Sequence, residues 1–74
     1  MKILLAEDDL NITRIAKMVL EKVGSHEVET AKDGGEALEK ALNGTYDLII
    51  LDGMMPIYPG VEVCRKYYDK KEGP

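Results

Sequence analysis

The 74-residue chain has room for one small domain. Its content, 45% hydrophobic and 32% charged, excludes disorder through low hydrophobicity. With 14 acids against 10 bases and a net charge of -4, no basic patch recommends a nucleic-acid partner, and no apolar run is long enough to span a membrane.

The first apolar run, KILLA at Lys2–Ala6, has the length of a buried strand. Glu7, Asp8 and Asp9 follow at once and fit no export signal. Ile12, Ile15, Ala16, Val19 and Val23 then recur at spacings of three and four, the apolar stripe of a helix that Gly24 stops. Asp9 or Asn11 caps its start. HEVETA alternates Val28 and Thr30 with Glu27 and Glu29 and reads as a second, more exposed strand. His26, in the polar entry to that strand, is expected to face water.

Asp33 followed by Glu36 has the spacing of a capping box. Ala37, Leu38, Ala41 and Leu42 form the apolar face of that helix, and Gly44 ends it. YDLIIL is the third strand, and its unbroken run Leu48–Leu51 suits a sheet covered on both faces. The last helix opens at Gly60, with Val61, Cys64 and Tyr68 on one face and Val63 and Tyr67 beside them. KKEGP reads as a frayed, charged tail. Cys64 has no disulfide partner and no neighbouring cysteine to share a metal. It is expected to be an apolar filler on its helix, in a reduced, cytoplasmic setting.

Three β–α units in series predict an α/β fold with a parallel sheet joined by right-handed crossovers. The carboxyl ends of parallel strands line a ligand crevice. Acids from strands one and three would meet there, repel one another and raise one another's pKa. A hard divalent cation with oxygen ligands relieves that repulsion, so the pattern suits Mg²⁺ better than zinc. The same residues also admit a plainer use: Asp8 or Asp9 as a helix cap, and Asp52 as a turn residue.

Taken together and in order, EDD after strand one, DGGEAL, YDLIILD and MMPIYPG resemble the receiver domain of two-component response regulators. The resemblance runs over essentially the whole chain. It implies a doubly wound, flavodoxin-like fold, of which this βαβαβα stretch is the N-terminal half with strands ordered 2-1-3. It implies that Asp52 accepts a phosphoryl group. It also implies that Asp8 and Asp9 hold Mg²⁺, with Asp9 the more direct ligand, joined by Asp52 and the backbone carbonyl of Met54. The phosphodonor would be a histidine kinase or a small acyl phosphate.

Some of the family pattern is not met. Its hydroxyl residue ending strand four and its lysine ending strand five have no counterpart, because Lys66, Lys70 and Lys71 come too early. Gly53 stands where an aliphatic residue is usual, and Pro59 where an aspartate is usual. Residues 1–74 are therefore expected to form a truncated receiver-like domain with impaired transfer, and not an independent enzyme. At most, Mg²⁺-dependent self-phosphorylation is expected. Strand three would be a bare sheet edge, and a symmetric homodimer through it and the adjacent helices would cover it. The alternative is a self-associating structural half-domain, excised or engineered, without signalling activity.

Overall fold

Strand β1 (Lys2–Ala6) is the centre of the sheet in the computed structural model, which describes residues 1–72. It pairs in parallel with β2 (Glu27–Ala31) on one side and β3 (Leu48–Leu51) on the other, giving the order β2-β1-β3. Helices α1 (Leu10–Lys22), α2 (Gly34–Asn43) and α3 (Gly60–Glu72) follow the strands in turn. Among the described residues no helix is long and apolar enough to cross a membrane.

The strong alternation of β1 builds two cores. Leu4 and Ala6 face α2 and α3, where they join Ala31, Ala37, Met55 and Val63. Ile3 and Leu5 face the other way and join Val28, with Ala16 and Leu20 of α1 packed against them. The second core is thin. α1 buries no side chain fully, and Ile12, Ile15 and Val19 of its predicted stripe remain 52%, 61% and 48% exposed.

Local chemistry sets the helix starts. The Asp9 carboxylate accepts from the N–H groups of Asn11 and Ile12, at 2.9 and 3.3 Å, and so caps α1. Asp33 accepts from the Glu36 N–H at 2.8 Å, while the Glu36 carboxylate reaches back to the Lys32 N–H at 2.7 Å. The expected box thus closes one residue earlier than its usual form, on Lys32 instead of Asp33.

Four expectations are corrected by the packing. β3 is not covered on both faces: Leu48 and Ile50 point toward α1 and stay 42% and 37% exposed. α3 buries Gly60 and Val63 and half-buries Tyr67, whereas Val61, Cys64 and Tyr68 are exposed. Close contact between Gly60 and the Asp52 backbone fixes that rotation of the helix: a Cβ at Gly60 would lie 2.6 Å from the Asp52 carbonyl oxygen. Lys70 and Lys71 belong to the last turn of α3 and not to a tail, while Gly73 and Pro74 lie outside the described residues. His26 is half-buried, with Nδ1 3.2 Å from the terminal amine of Met1.

Candidate functional site

The first residues after the apolar runs of β1 and β3 are Glu7 and Asp52. The ladder carries both into register, because Ala6 pairs with Leu51 and the Asp52 N–H donates to the Ala6 carbonyl at 3.0 Å. On the opposite side the Glu7 N–H donates to Ala31 at 3.0 Å, so β1 holds Glu7 from both neighbours. Neighbouring residues of a parallel ladder share a face. The two carboxylates consequently lie on the α1 side of the sheet, with Leu5 and Ile50 below them. Asp8 completes the group: Glu7, Asp8 and Asp52 offer carboxylate oxygens that all lie within 4.8 Å of one another. An open groove lined by Ile12, Val19 and Ile50 runs between α1 and β3 and ends at Glu7 and Asp52.

The three acids sit in different surroundings. Glu7 is buried, Asp52 half-buried and Asp8 exposed. The Glu7 pKa is pushed from an ordinary 4.5 to about 7, first by its hydrogen bond to Asp52, then by burial and by the Asp52 charge. Asp52 is lowered, first by that same hydrogen bond and then by the Met54 N–H, which donates to Oδ1 at 3.3 Å. Near neutral pH the pair shares a proton that Glu7 carries and Asp52 accepts. The Glu7 carboxylate also accepts from the Asp8 N–H at 3.2 Å. Three oxygen-donor acids, crowded enough to retain a proton, form a donor set that fits Mg²⁺.

Sequence reasoning brought Asp8 and Asp52 to this site, and the structure places both there. It placed Asp9 there as well. The Asp9 carboxylate is instead spent on the N–H groups of Asn11 and Ile12 in the first turn of α1 and lies outside the three-acid group. Glu7 takes the place beside Asp52. Its position as the first residue past a strand's apolar run was the signal available for it, and Asp52 shares that signal. Met54 lies in the loop after β3 with its side chain 85% exposed and its N–H on Asp52. Tyr58 of the same loop is half-buried against the core, and the Lys66 ammonium lies 4.9 Å from its ring centre.

This arrangement has close counterparts. The chain is 44% identical over 73 residues to the transcriptional regulatory protein ResD of Bacillus subtilis, covering 99% of this chain and 30% of ResD. A crystal structure of the response regulator TrrA from Thermotoga maritima, in complex with Mg²⁺ and BeF, superposes with a TM-score of 0.87 at 42% identity. It covers 96% of this chain and 61% of TrrA. TrrA has also been solved in complex with the histidine kinase ThkA, matching with a TM-score of 0.84 at 42% identity over 97% of this chain and 61% of the other. The chain therefore spans less than two thirds of these relatives. A profile of the response regulator receiver domain matches residues 3–74. With the parallel β2-β1-β3 order and the acids at the carboxyl ends of β1 and β3, the chain belongs to the response regulator receiver domain family.

Proposed function

We propose that this chain is a phosphoacceptor of two-component signalling and that Asp52 is the residue phosphorylated. The observation that carries this reading is the Asp52 carboxylate at the end of β3, grouped with Glu7 and Asp8. The Asp52 carboxylate attacks the phosphorus of a phosphohistidine or of a small acyl phosphate. The P–N or P–O bond breaks, the donor leaves with the electron pair, and an acyl phosphate forms on Asp52. Mg²⁺ bound at this site supplies charge neutralisation and orientation of the transferring group. Asp8, Asp52 and Glu7 would hold it, with the Met54 backbone carbonyl; Asp9 serves the α1 cap, so Glu7 takes the role expected of Asp9.

A histidine kinase is the proposed phosphodonor, supported by the solved pairing of ThkA with TrrA. The setting is cytoplasmic, which suits the free, exposed Cys64. Residues 1–74 form the β2-β1-β3 half of a receiver domain. Incubation with Mg²⁺ and a small acyl phosphate tests the reading by intact mass. One phosphoryl group is gained by the wild type and none by Asp52→Ala; a gain that survives in Asp52→Ala overturns it.

A second reading, self-association without phosphotransfer, is favoured by the exposed Leu48 and Ile50 on the edge of β3 beside the open face of α1. Two copies pairing β3 antiparallel across a two-fold axis would give the sheet 2-1-3-3'-1'-2'. Sedimentation velocity over a concentration series decides it. A dimer that takes up no phosphoryl group supports this reading, and a folded monomer at micromolar concentration removes it.

A further inference from the structure

α2 opens with Gly34, whose N–H is one of those a helix leaves without an internal partner. It donates instead to the Pro56 carbonyl, 3.0 Å away, in the loop that follows Asp52. The same carbonyl accepts from the Tyr58 N–H at 2.9 Å. That bond closes a γ-turn around Ile57, whose φ is 71°. Turns of this hand are rare and strained, and a β-branched residue is badly suited to positive φ. The Ile57 side chain is 69% exposed, so its burial does not offset the strain. The docking surface admits only glycine: a Cβ at Gly34 would lie 1.9 Å from the Tyr58 carbonyl oxygen.

The turn is tied to the phosphoacceptor at both ends. Before it, the Met54 N–H donates to Asp52 Oδ1. After it, Gly60 rests against the Asp52 carbonyl. Buried Met55 and half-buried Tyr58 anchor the segment to the core between α2 and α3.

We propose that Ile57 is a positioning residue for Asp52. Its left-handed turn docks the loop on Gly34, and the loop exchanges between this docked form and a released form in which Ile57 returns to negative φ. The docking itself follows from the loop geometry; its consequence for Asp52 rests on the phosphoacceptor reading above. In the docked form Met54 and Gly60 hold the Asp52 carboxylate and backbone in place. Release loosens both contacts. Strain at Ile57 favours release, while the Gly34 bond and the anchors at Met55 and Tyr58 oppose it.

Two substitutions separate these effects. Ile57→Gly leaves the turn accessible and removes the strain. Ile57→Pro holds φ near −65° and cannot form the turn. Gly34→Ala undocks the loop from the other side and serves where Ile57→Pro does not fold. Hydrogen exchange at the residue 34 amide reads docking, and Mg²⁺ titration of the same samples reads the positioning of Asp52. Exchange at residue 34 is expected to slow by roughly tenfold in Ile57→Gly and to quicken by roughly tenfold in the undocked variants. Mg²⁺ affinity is expected to fall by about tenfold in the undocked variants alone. Equal exchange in the wild type and all variants overturns the docking equilibrium, whatever Mg²⁺ does. Altered exchange with unchanged Mg²⁺ affinity overturns the positioning role. A wild type that takes up no Mg²⁺ removes the phosphoacceptor reading and the positioning role together, and exchange at Gly34 still decides the docking.

Discussion

Asp9 and Asp8 are adjacent acids with different work, and substitution separates them. The Asp9 carboxylate holds the N–H groups of Asn11 and Ile12, and the first turn of α1 carries no acid of its own. Losing an acidic N-cap costs about 1 kcal/mol, and losing its charge at the positive end of the helix dipole costs a further ~0.5 kcal/mol. α1 has only 13 residues and no fully buried side chain, so little packing compensates. Asp9→Ala should therefore lower stability by about 1.5 kcal/mol, or the melting temperature by roughly 6–12 °C for a domain of this size. Asp9→Asn keeps a good cap and loses only the charge, so it should fall about 0.5 kcal/mol below the wild type. Asp8→Asn removes a charge from the crowded three-acid group and should leave the metal-free protein no less stable. Thermal melts with and without Mg²⁺ measure both properties, since a ligand that binds only the folded state raises its melting temperature. Asp9→Asn should keep the Mg²⁺ response and Asp8→Asn should lose it. The reverse pattern, with the response lost in Asp9→Asn and kept in Asp8→Asn, refutes the assignment of Asp9 to the cap.

Three further outcomes follow from the site and the core. Glu7 has a folded pKa of about 7 against an ordinary 4.5, so the folded chain keeps a proton that the unfolded chain releases. Its contribution is whole below about pH 4.5 and fades as pH rises through 7; the lowered Asp52 acts in the opposite sense, only in the acid range near its ordinary 3.8. Urea titrations at several pH values should show this fall in the metal-free wild type, and Glu7→Gln should flatten it. Because the metal competes with that proton, Mg²⁺ affinity should weaken toward tenfold per pH unit below 7, as calorimetry at pH 6 and 8 would record. Val63 is 1% exposed and Val61 is 77% exposed on the same helix. Val63→Ala should cost about 2 kcal/mol and Val61→Ala less than about 0.5 kcal/mol in urea melts, and equal losses would contradict the rotation found for α3.

The β–α order was legible because each strand and helix has its own period, and KILLA matches β1 residue for residue. The parallel 2-1-3 arrangement came from the family resemblance joined to the crossover rule. Choosing among three consecutive acids was beyond periodicity alone. Their roles depend on where the backbone leaves β1: Glu7 still lies on the ladder beside Asp52, Asp8 just past it keeps its carboxylate within 4.8 Å of theirs, and Asp9 already faces the first turn of α1. α3 was misjudged for a related reason. Val61–Cys64–Tyr68 and Gly60–Val63–Tyr67 are both plausible stripes, and a tertiary contact, Gly60 against Asp52, selects the second. Nor does composition reveal a γ-turn at Ile57, where local preference runs against the conformation adopted.

The most direct test of the account is to locate the phosphoryl group. Protein treated with a small acyl phosphate, in Mg²⁺ or in a chelator, would be cleaved and its peptides weighed. The account predicts a phosphoryl group on the peptide carrying Asp52 in Mg²⁺ and none in chelator. A phosphoryl group on another peptide, or equal labelling without metal, would contradict it.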